Sequence, residues 1–299
     1  MAILTSTRKS PGATPRCIVR LARPYAPLTE RKQKAPRPAG NAPQIPCDMG
    51  EAVQYCCMMI ICDTLCGPIN ERSVFSVNKP MLSPSMMCVN VWQDPGKVIE
   101  ALEHGSIEML HVDVMDGHFV QNLMMSTDSI KHLRGAAKIP LDIHLMIEKP
   151  ETRLGWFGIA EGEYVSIHQE STKHLQRTLA AVRDFGAHPS VALNPATSLC
   201  MIEDVLCDVD MVLLMTVNPG FAGQKLVPQT LAKITRLRKM LDQAGRPNVL
   251  IQVDGNVSWE NAVKMRAAGA DVFVCGTSSI FSKGAPIAEN IARFREIVK

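Results

Sequence analysis

The run Met109-Leu110-His111-Val112-Asp113-Val114-Met115-Asp116-Gly117-His118-Phe119 begins as a strand and ends as a loop. Side chains alternate faces along a strand, so His111 and Asp113 point the same way. Working outward, the same rhythm recurs on both sides. Strands are expected at residues 81–87, 110–115, 140–147, 164–168, 190–193, 211–217, 249–253 and 271–275. Helical patterns follow them at 94–104, 126–134, 151–160, 171–185, 198–206, 228–242, 258–268 and 287–298. Asp94 is read as an N-cap before Pro95, and Gly105, Gly186 and Gly269 as helix stops. Alternating strands and helices imply a parallel sheet. The strand at 211–217 is apolar throughout, as when both faces are covered. Eight such units over residues 81–299 give an α/β fold closing as a (β/α)8 barrel, whose usual size is about 250 residues. An open doubly wound sheet is the competing fold. The absence of a G-x-G-x-x-G turn after the first strand speaks against it.

Residues 1–80 read differently. Eight of the first 46 are proline, and no helical or strand period persists. Such a segment cannot bury enough apolar surface to offset its ordering entropy, so a largely disordered extension is expected. Residues 1–40 carry nine Lys and Arg against Glu30, a charge of +8. The whole chain is at +3, which leaves the other 259 residues at −5 (+3 less +8). A mildly acidic body offers no nucleic-acid surface. The basic extension is either a targeting peptide or the product of translation begun upstream of a natural start at Met81. No window approaches the roughly 18 apolar residues of a membrane span. Of ten cysteines, four lie in the body, at 88, 200, 207 and 275, without paired spacing. They read as buried thiols of a reduced, cytoplasmic protein, with organellar import through residues 1–40 as the alternative.

In a barrel of this type the functional site lies at the C-terminal ends of the strands. Reading those ends brings His144 and Asp254 beside His111 and Asp113: two imidazoles and two carboxylates, able to hold one Zn²⁺, Mn²⁺, Fe²⁺ or Co²⁺. A lone strand histidine is more often a hydrogen-bonded core residue, and a lone Asp before Gly a turn former. Four of them meeting at one mouth is harder to account for that way. Asp142 shares the face of His144 but lies deeper, where it would support a ligand. Asp116, three residues beyond Asp113, reads as a turn residue. The Gly/Pro-rich loop 218–224, with residues 254–256 and 275–278, offers backbone N–H groups to a phosphate, and the first loop is long enough to act as a lid. Met115, Met146 and Met215 fall at strand ends and would form an apolar wall around a reacting carbon.

These residues also carry a resemblance. S-P-S-M-M (83–87), H-V-D-V-M-D-G-H-F (111–119), L-D-I-H-L-M (141–146), L-N-P-A-T (193–197), M-T-V-N-P-G-F-A-G-Q (215–224), V-D-G (253–255) and G-T-S-S-I-F (276–281) resemble the ribulose-phosphate 3-epimerase family, over residues 81–299 and not over 1–80. The resemblance implies a TIM barrel that inverts carbon 3 of a ketose phosphate. It makes His111, Asp113, His144 and Asp254 the ligands of one divalent metal, and Asp113 and Asp254 the paired acid/base groups. Ser85 and His144 would touch the sugar. Gly220, Phe221, Ala222, Gly223, Gly255, Asn256, Gly276 and Thr277 would hold the phosphate. The expected partner is a small phosphosugar, D-ribulose 5-phosphate converted to D-xylulose 5-phosphate, in a homo-oligomer. Where members of the family usually read G-F-G-G-Q, D-G-G and G-S, this chain has G-F-A-G-Q, D-G-N and G-T. Those variants look more like the allulose-6-phosphate 3-epimerase branch. A decarboxylase of similar fold would need a D-x-K-x-x-D strand, and Met115 stands at the lysine position. A metal-dependent sugar-phosphate aldolase is a further alternative, but no Schiff-base lysine or extra histidine ligand stands at a strand end. A non-catalytic phosphosugar-binding barrel would be expected to lose a base or a ligand, and none is lost.

Overall fold

The computed structural model describes residues 79–89 and 95–299. The N-terminal extension and the proposed cap at Asp94 lie outside the described residues. Among those residues, eight parallel strands form a barrel: β1 (Met81–Pro84), β2 (Leu110–Asp116), β4 (Leu141–Met146), β5 (Tyr164–His168), β6 (His188–Leu193), β7 (Met211–Met215), β8 (Leu250–Asp254) and β9 (Val272–Cys275). A two-residue β3 (Leu123–Met124) returns antiparallel against the end of β2, pairing Met115 with Met124. The sequence pattern does not reveal this hairpin, because two residues cannot establish a period.

Each strand pairs with its neighbours in barrel order, and an isolated parallel bridge between Ser85 and His111 closes the ring. Followed strand by strand, the register carries Met81 round to the level of Val89, eight residues on. That stagger is the one an eight-stranded barrel of this class requires. Side chains tie β1 to the segment before β2, to β4 and to β2. The Leu82 N–H donates to Glu108 Oε2 (2.9 Å), Ser83 Oγ to Asp142 Oδ2 (2.8 Å) and Ser85 Oγ to Asp113 Oδ2 (2.7 Å).

The helices are α1 (Pro95–His104), α2 (Thr127–Ala136), α3 (Leu175–Asp184), α4 (Gln229–Gln243), α5 (Trp259–Ala268) and α6 (Ile287–Ile297). Their apolar stripes bury against the outward faces of the strands, with Leu82, Val112, Ile143, Val165, Leu214 and Ile251 in one continuous core. Ser126 caps α2 by accepting the Ser129 N–H, and Ser258 caps α5 by accepting that of Asn261.

Two expected helices are corrected. Residues 151–160 form only short 3-10 turns, Pro150–Thr152 and Leu154–Trp156, because Gly155 and a left-handed Gly158 (φ 55°) interrupt the turn. Residues 198–206 form a 3-10 helix, Leu199–Val205, whose buried residues Ile202 and Val205 fall three apart, the period of that tighter helix. The first strand is also shorter than expected, since Met86–Cys88 turns as a 3-10 segment. After α1 the left-handed residue is Ser106 (φ 52°), whereas Gly105 is small because Ile291 packs against it. Gly186 (φ 75°) and Gly269 (φ 111°) are left-handed as expected of helix stops.

Candidate active site

The inward faces of the strands are polar just below the C-terminal mouth. Fully buried Asp142 takes the centre of that layer. Its Oδ2 accepts from Ser83 Oγ, from Gln252 Nε2 and from His111 Nδ1 (2.7 Å). A carboxylate with three donors holds the proton of His111 on Nδ1. Nε2 is therefore the ring nitrogen aimed upward, buried and with no hydrogen-bond partner among the described residues.

One step further up the same faces sit Asp113, paired in register with His144, and Asp254, paired with Met215. One ligand-type atom from each of His111, Asp113, His144 and Asp254 lies within 4.8 Å of the others. His111 Nε2 is 3.3 Å from Asp113 Oδ1 and 3.9 Å from Asp254 Oδ2. His144 Nδ1 is 3.3 Å from Asp113 Oδ1 and 3.7 Å from Asp254 Oδ2. Atoms sharing one ion through bonds of about 2.0–2.2 Å are spaced in this way. The four residues are therefore a group that could hold a metal ion, and the orphaned His111 Nε2 is the observation that fits them to one.

The electrostatics agree. Burial pushes the Asp254 carboxyl up, and the Asp113 charge adds to it, to about 7. Burial would also raise Asp113, but the neighbouring His111 and His144 rings hold it well below the usual carboxylate range. For His111, burial favours the neutral ring, yet the Asp113 and Asp142 charges outweigh it and pull a proton onto the ring when no other cation is near. Burial holds His144 down. His168, which faces His144 ring to ring with Nε2 atoms 2.9 Å apart, is pressed down by burial to about 4.

Above this cluster opens a cavity of about 100 Å³. Its lining contains Ser85, Asp113, Met115, Met146, Met215, Gly220, Phe221, Ala222, Gly223, Asp254, Gly255, Asn256, Gly276 and Thr277. With the buried His111 and His144, the structure thus brings together every residue singled out from the sequence. Met115 and Met146 pack with Val120, while Met215 packs separately with Ala192 and Leu213. Asp116 stands apart from the cluster. Its carboxylate accepts the N–H groups of His118, Phe119 and Glu148 and an Arg153 N–H, which is the work of a turn residue. The loop 218–224 is pinned from both sides: Asn122 Nδ2 donates to Gly220 O and Asn256 Nδ2 to Gln224 O, both at 2.7 Å. Asn256 adopts the left-handed backbone (φ 48°). Phe221 remains 55% exposed at the loop's tip.

Four residues at the site were passed over in the sequence: Met87 and Cys88 on the cavity wall, Asn122, and His168 beneath. His168 carried a signal, since it ends its strand as His144 nearly ends its own. Asn122 carried none, because its partner is 98 residues away.

Comparison with known proteins fits this geometry. The model of the ribulose-phosphate 3 epimerase family matches residues 81–281. The chain is 41% identical over 201 residues to a ribulose-phosphate 3-epimerase of Aquifex aeolicus, covering 67% of this chain and 89% of that one. It is 42% identical to the Bacillus subtilis ribulose-phosphate 3-epimerase, covering 61% of this chain and 84% of that one. It is also 42% identical to the chloroplastic ribulose-5-phosphate-3-epimerase of Arabidopsis thaliana, covering 70% and 74%. Among solved structures, KGPDC from Streptococcus mutans superposes with a TM-score of 0.54 at 11% identity, over 74% of this chain and 98% of that one. The 3-hexulose-6-phosphate synthase from Salmonella typhimurium gives 0.51 at 15%, over 73% and 98%. These two likenesses concern the barrel fold alone. No helix among the described residues is long and apolar enough to cross a membrane. By its strand order, its motifs and its relatives, this chain belongs to the ribulose-phosphate 3-epimerase family, whose members are isomerases.

Proposed function

We propose that this chain is a metal-dependent ketose-phosphate 3-epimerase that inverts C3 through an enediolate, converting D-ribulose 5-phosphate to D-xylulose 5-phosphate. The observation that carries the proposal is the convergence of His111 Nε2, His144 Nδ1 and oxygens of Asp113 and Asp254 within 4.8 Å, with the His111 nitrogen buried and unpartnered. All four residues are proposed ligands of one Zn²⁺, Mn²⁺, Fe²⁺ or Co²⁺. When bound, the cation would stabilise negative charge on the two adjacent oxygens of the enediolate.

The rest of the mechanism is assigned to the chain's own side chains. A C–H beside a ketone is a weak acid, and inversion needs one proton acceptor and one donor on opposite faces of the planar carbon. Asp113 on β2 and Asp254 on β8 are separated by β1 and β9 around the mouth, so their carboxylates would reach the substrate from different sides. Without an ion, His111 and His144 hold Asp113 down while burial and the Asp113 charge push Asp254 up, so the pair can share one proton. One therefore takes the C3 proton while the other delivers its own to the far face, and the roles exchange in the reverse direction. Ser85, donating to Asp113 Oδ2, orients that carboxylate and borders the sugar. Met115, Met146 and Met215 would keep water from the carbanion. Backbone N–H groups of 220–223, Gly255, Asn256, Gly276 and Thr277 would bind the phosphate, with the loop 218–224 as lid.

A second reading has its own support. Ala222, Asn256 and Thr277 replace residues usual in the pentulose-phosphate enzymes, so D-allulose 6-phosphate to D-fructose 6-phosphate is the alternative reaction. The deciding experiment is turnover of the full chain on both sugars, with bound metal quantified. Faster conversion of ribulose 5-phosphate is expected, preference for allulose 6-phosphate would favour the alternative, and conversion of neither would overturn both.

The barrel is assigned to residues 81–299 as one domain. A chain begun at Met81 is accordingly expected to keep full turnover and solubility. Loss of either would give residues 1–80 a part in the folded enzyme.

A further inference from the structure

Resting on that metal reading, we infer that His168 and Glu170 are positioning residues: a hydrogen-bond chain running through them fixes which ring nitrogen His144 presents to the cluster. Glu170 Oε2 lies 3.1 Å from His168 Nδ1, and His168 Nε2 lies 2.9 Å from His144 Nε2. The carboxylate can only accept, so His168 Nδ1 carries a proton. Two ring nitrogens facing at 2.9 Å share one proton; His168 has its own on Nδ1 and offers Nε2 as acceptor, so the shared proton belongs to His144 Nε2. His144 Nδ1 is then a lone pair, directed at the space between Asp113 and Asp254. His111 reaches the same state by its direct bond to Asp142. The two imidazole ligands are thus set by two separate carboxylates, one adjacent and one a ring further away.

The direction of the chain is fixed at its far end. Glu170 Oε1 is already engaged, accepting the Asn194 N–H (2.8 Å) and the Thr197 hydroxyl. An amide in place of this carboxylate must put its oxygen at that position, since both neighbours donate. Its NH2 would then face His168 Nδ1 as a donor. His168 would have to accept there and carry its proton on Nε2, and His144 would have to accept in turn and carry its own on Nδ1. The nitrogen that should face the ion would then carry a proton. Glu170→Gln changes almost no volume, yet it reverses the hydrogen-bond direction two residues away.

The test is Co²⁺ titration of the metal-stripped full chain, read by visible absorption and by competition with a chelator, on wild type, Glu170→Gln and Glu170→Ala. Melting of each metal-free protein is recorded alongside. Glu170→Gln is expected to bind Co²⁺ on the order of 10–100-fold more weakly than wild type, with unchanged metal-free melting. Glu170→Ala, which imposes no opposing donor, is expected to lose no more than that. Wild-type affinity in Glu170→Gln would overturn the positioning role while leaving the metal site standing. An alanine variant much weaker than the glutamine variant would also overturn it, because charge or packing would then explain the loss. A wild-type chain that binds no Co²⁺ would overturn the metal reading itself, and the inference with it.

Discussion

Asp113→Asn and Asp254→Asn are each expected to lower epimerase turnover by roughly 10²–10⁴-fold or more, the usual contribution of a positioned acid or base. The barrel should stay folded, because Asn keeps the shape of each side chain and the surrounding core is untouched. The two variants should differ in isotope exchange. With one face disabled, the remaining carboxylate can still remove and return a proton on its own side. Each variant should therefore wash solvent deuterium into C3 of one epimer without inverting it, and the two variants should favour opposite epimers. Both residues are proposed ligands as well, so metal content must be measured to separate loss of the ion from loss of the base. Near-normal turnover in either variant would defeat the two-base mechanism.

Gly255→Ala is expected to damage stability and substrate affinity together. Gly255 has φ 116°, where a side chain is strained. A Cβ there would come within 2.5 Å of a Val217 methyl and 2.8 Å of the Val217 backbone nitrogen. The neighbouring backbone is poorly placed to yield, because the Thr216 N–H and hydroxyl are both bonded to Asp254 O. The backbone strain alone should lower stability by about 1–3 kcal/mol, visible as a lower melting temperature. Relief requires the loop after β8 to swing outward, carrying Asn256 and its bond to Gln224 with it. A raised KM for the phosphosugar should follow. An unchanged KM in a destabilised variant would remove this loop from phosphate binding.

These expectations rest on features that differ in how plainly the sequence displays them. The barrel was legible because each strand–helix unit announces itself by local period, and Tyr164–His168 falls where the pattern places it. The four-residue cluster was legible for a similar reason: strand ends share one rim, so His111, Asp113, His144 and Asp254 converge by topology alone. Elements whose form depends on neighbours were not legible. Residues 151–160 have helical composition, but left-handed Gly158 and the turns before it decide otherwise. His168 and Glu170 gain meaning only when β4 and β5 lie side by side. Asn122 and Asn256 hold the loop 218–224 by bonds across 98 and 32 residues, which no local pattern records.

The closing seam of the barrel has a thermodynamic consequence. Where other strand pairs share ladders of backbone bonds, β1 and β2 meet at one bridge, and the Ser85 hydroxyl adds a side-chain tie across them. Its acceptor, Asp113, belongs to the charged cluster. Opening fluctuations should concentrate where cooperative bonding is thinnest. Amide deuterium uptake is therefore expected to be faster along β1 and the facing part of β2 than along β5 to β7. Anything that anchors Asp113 and His111 also anchors the seam, so ligation should slow that uptake selectively and raise resistance to unfolding through linkage. The part of the cylinder that breathes most is the part its ligand would clasp shut.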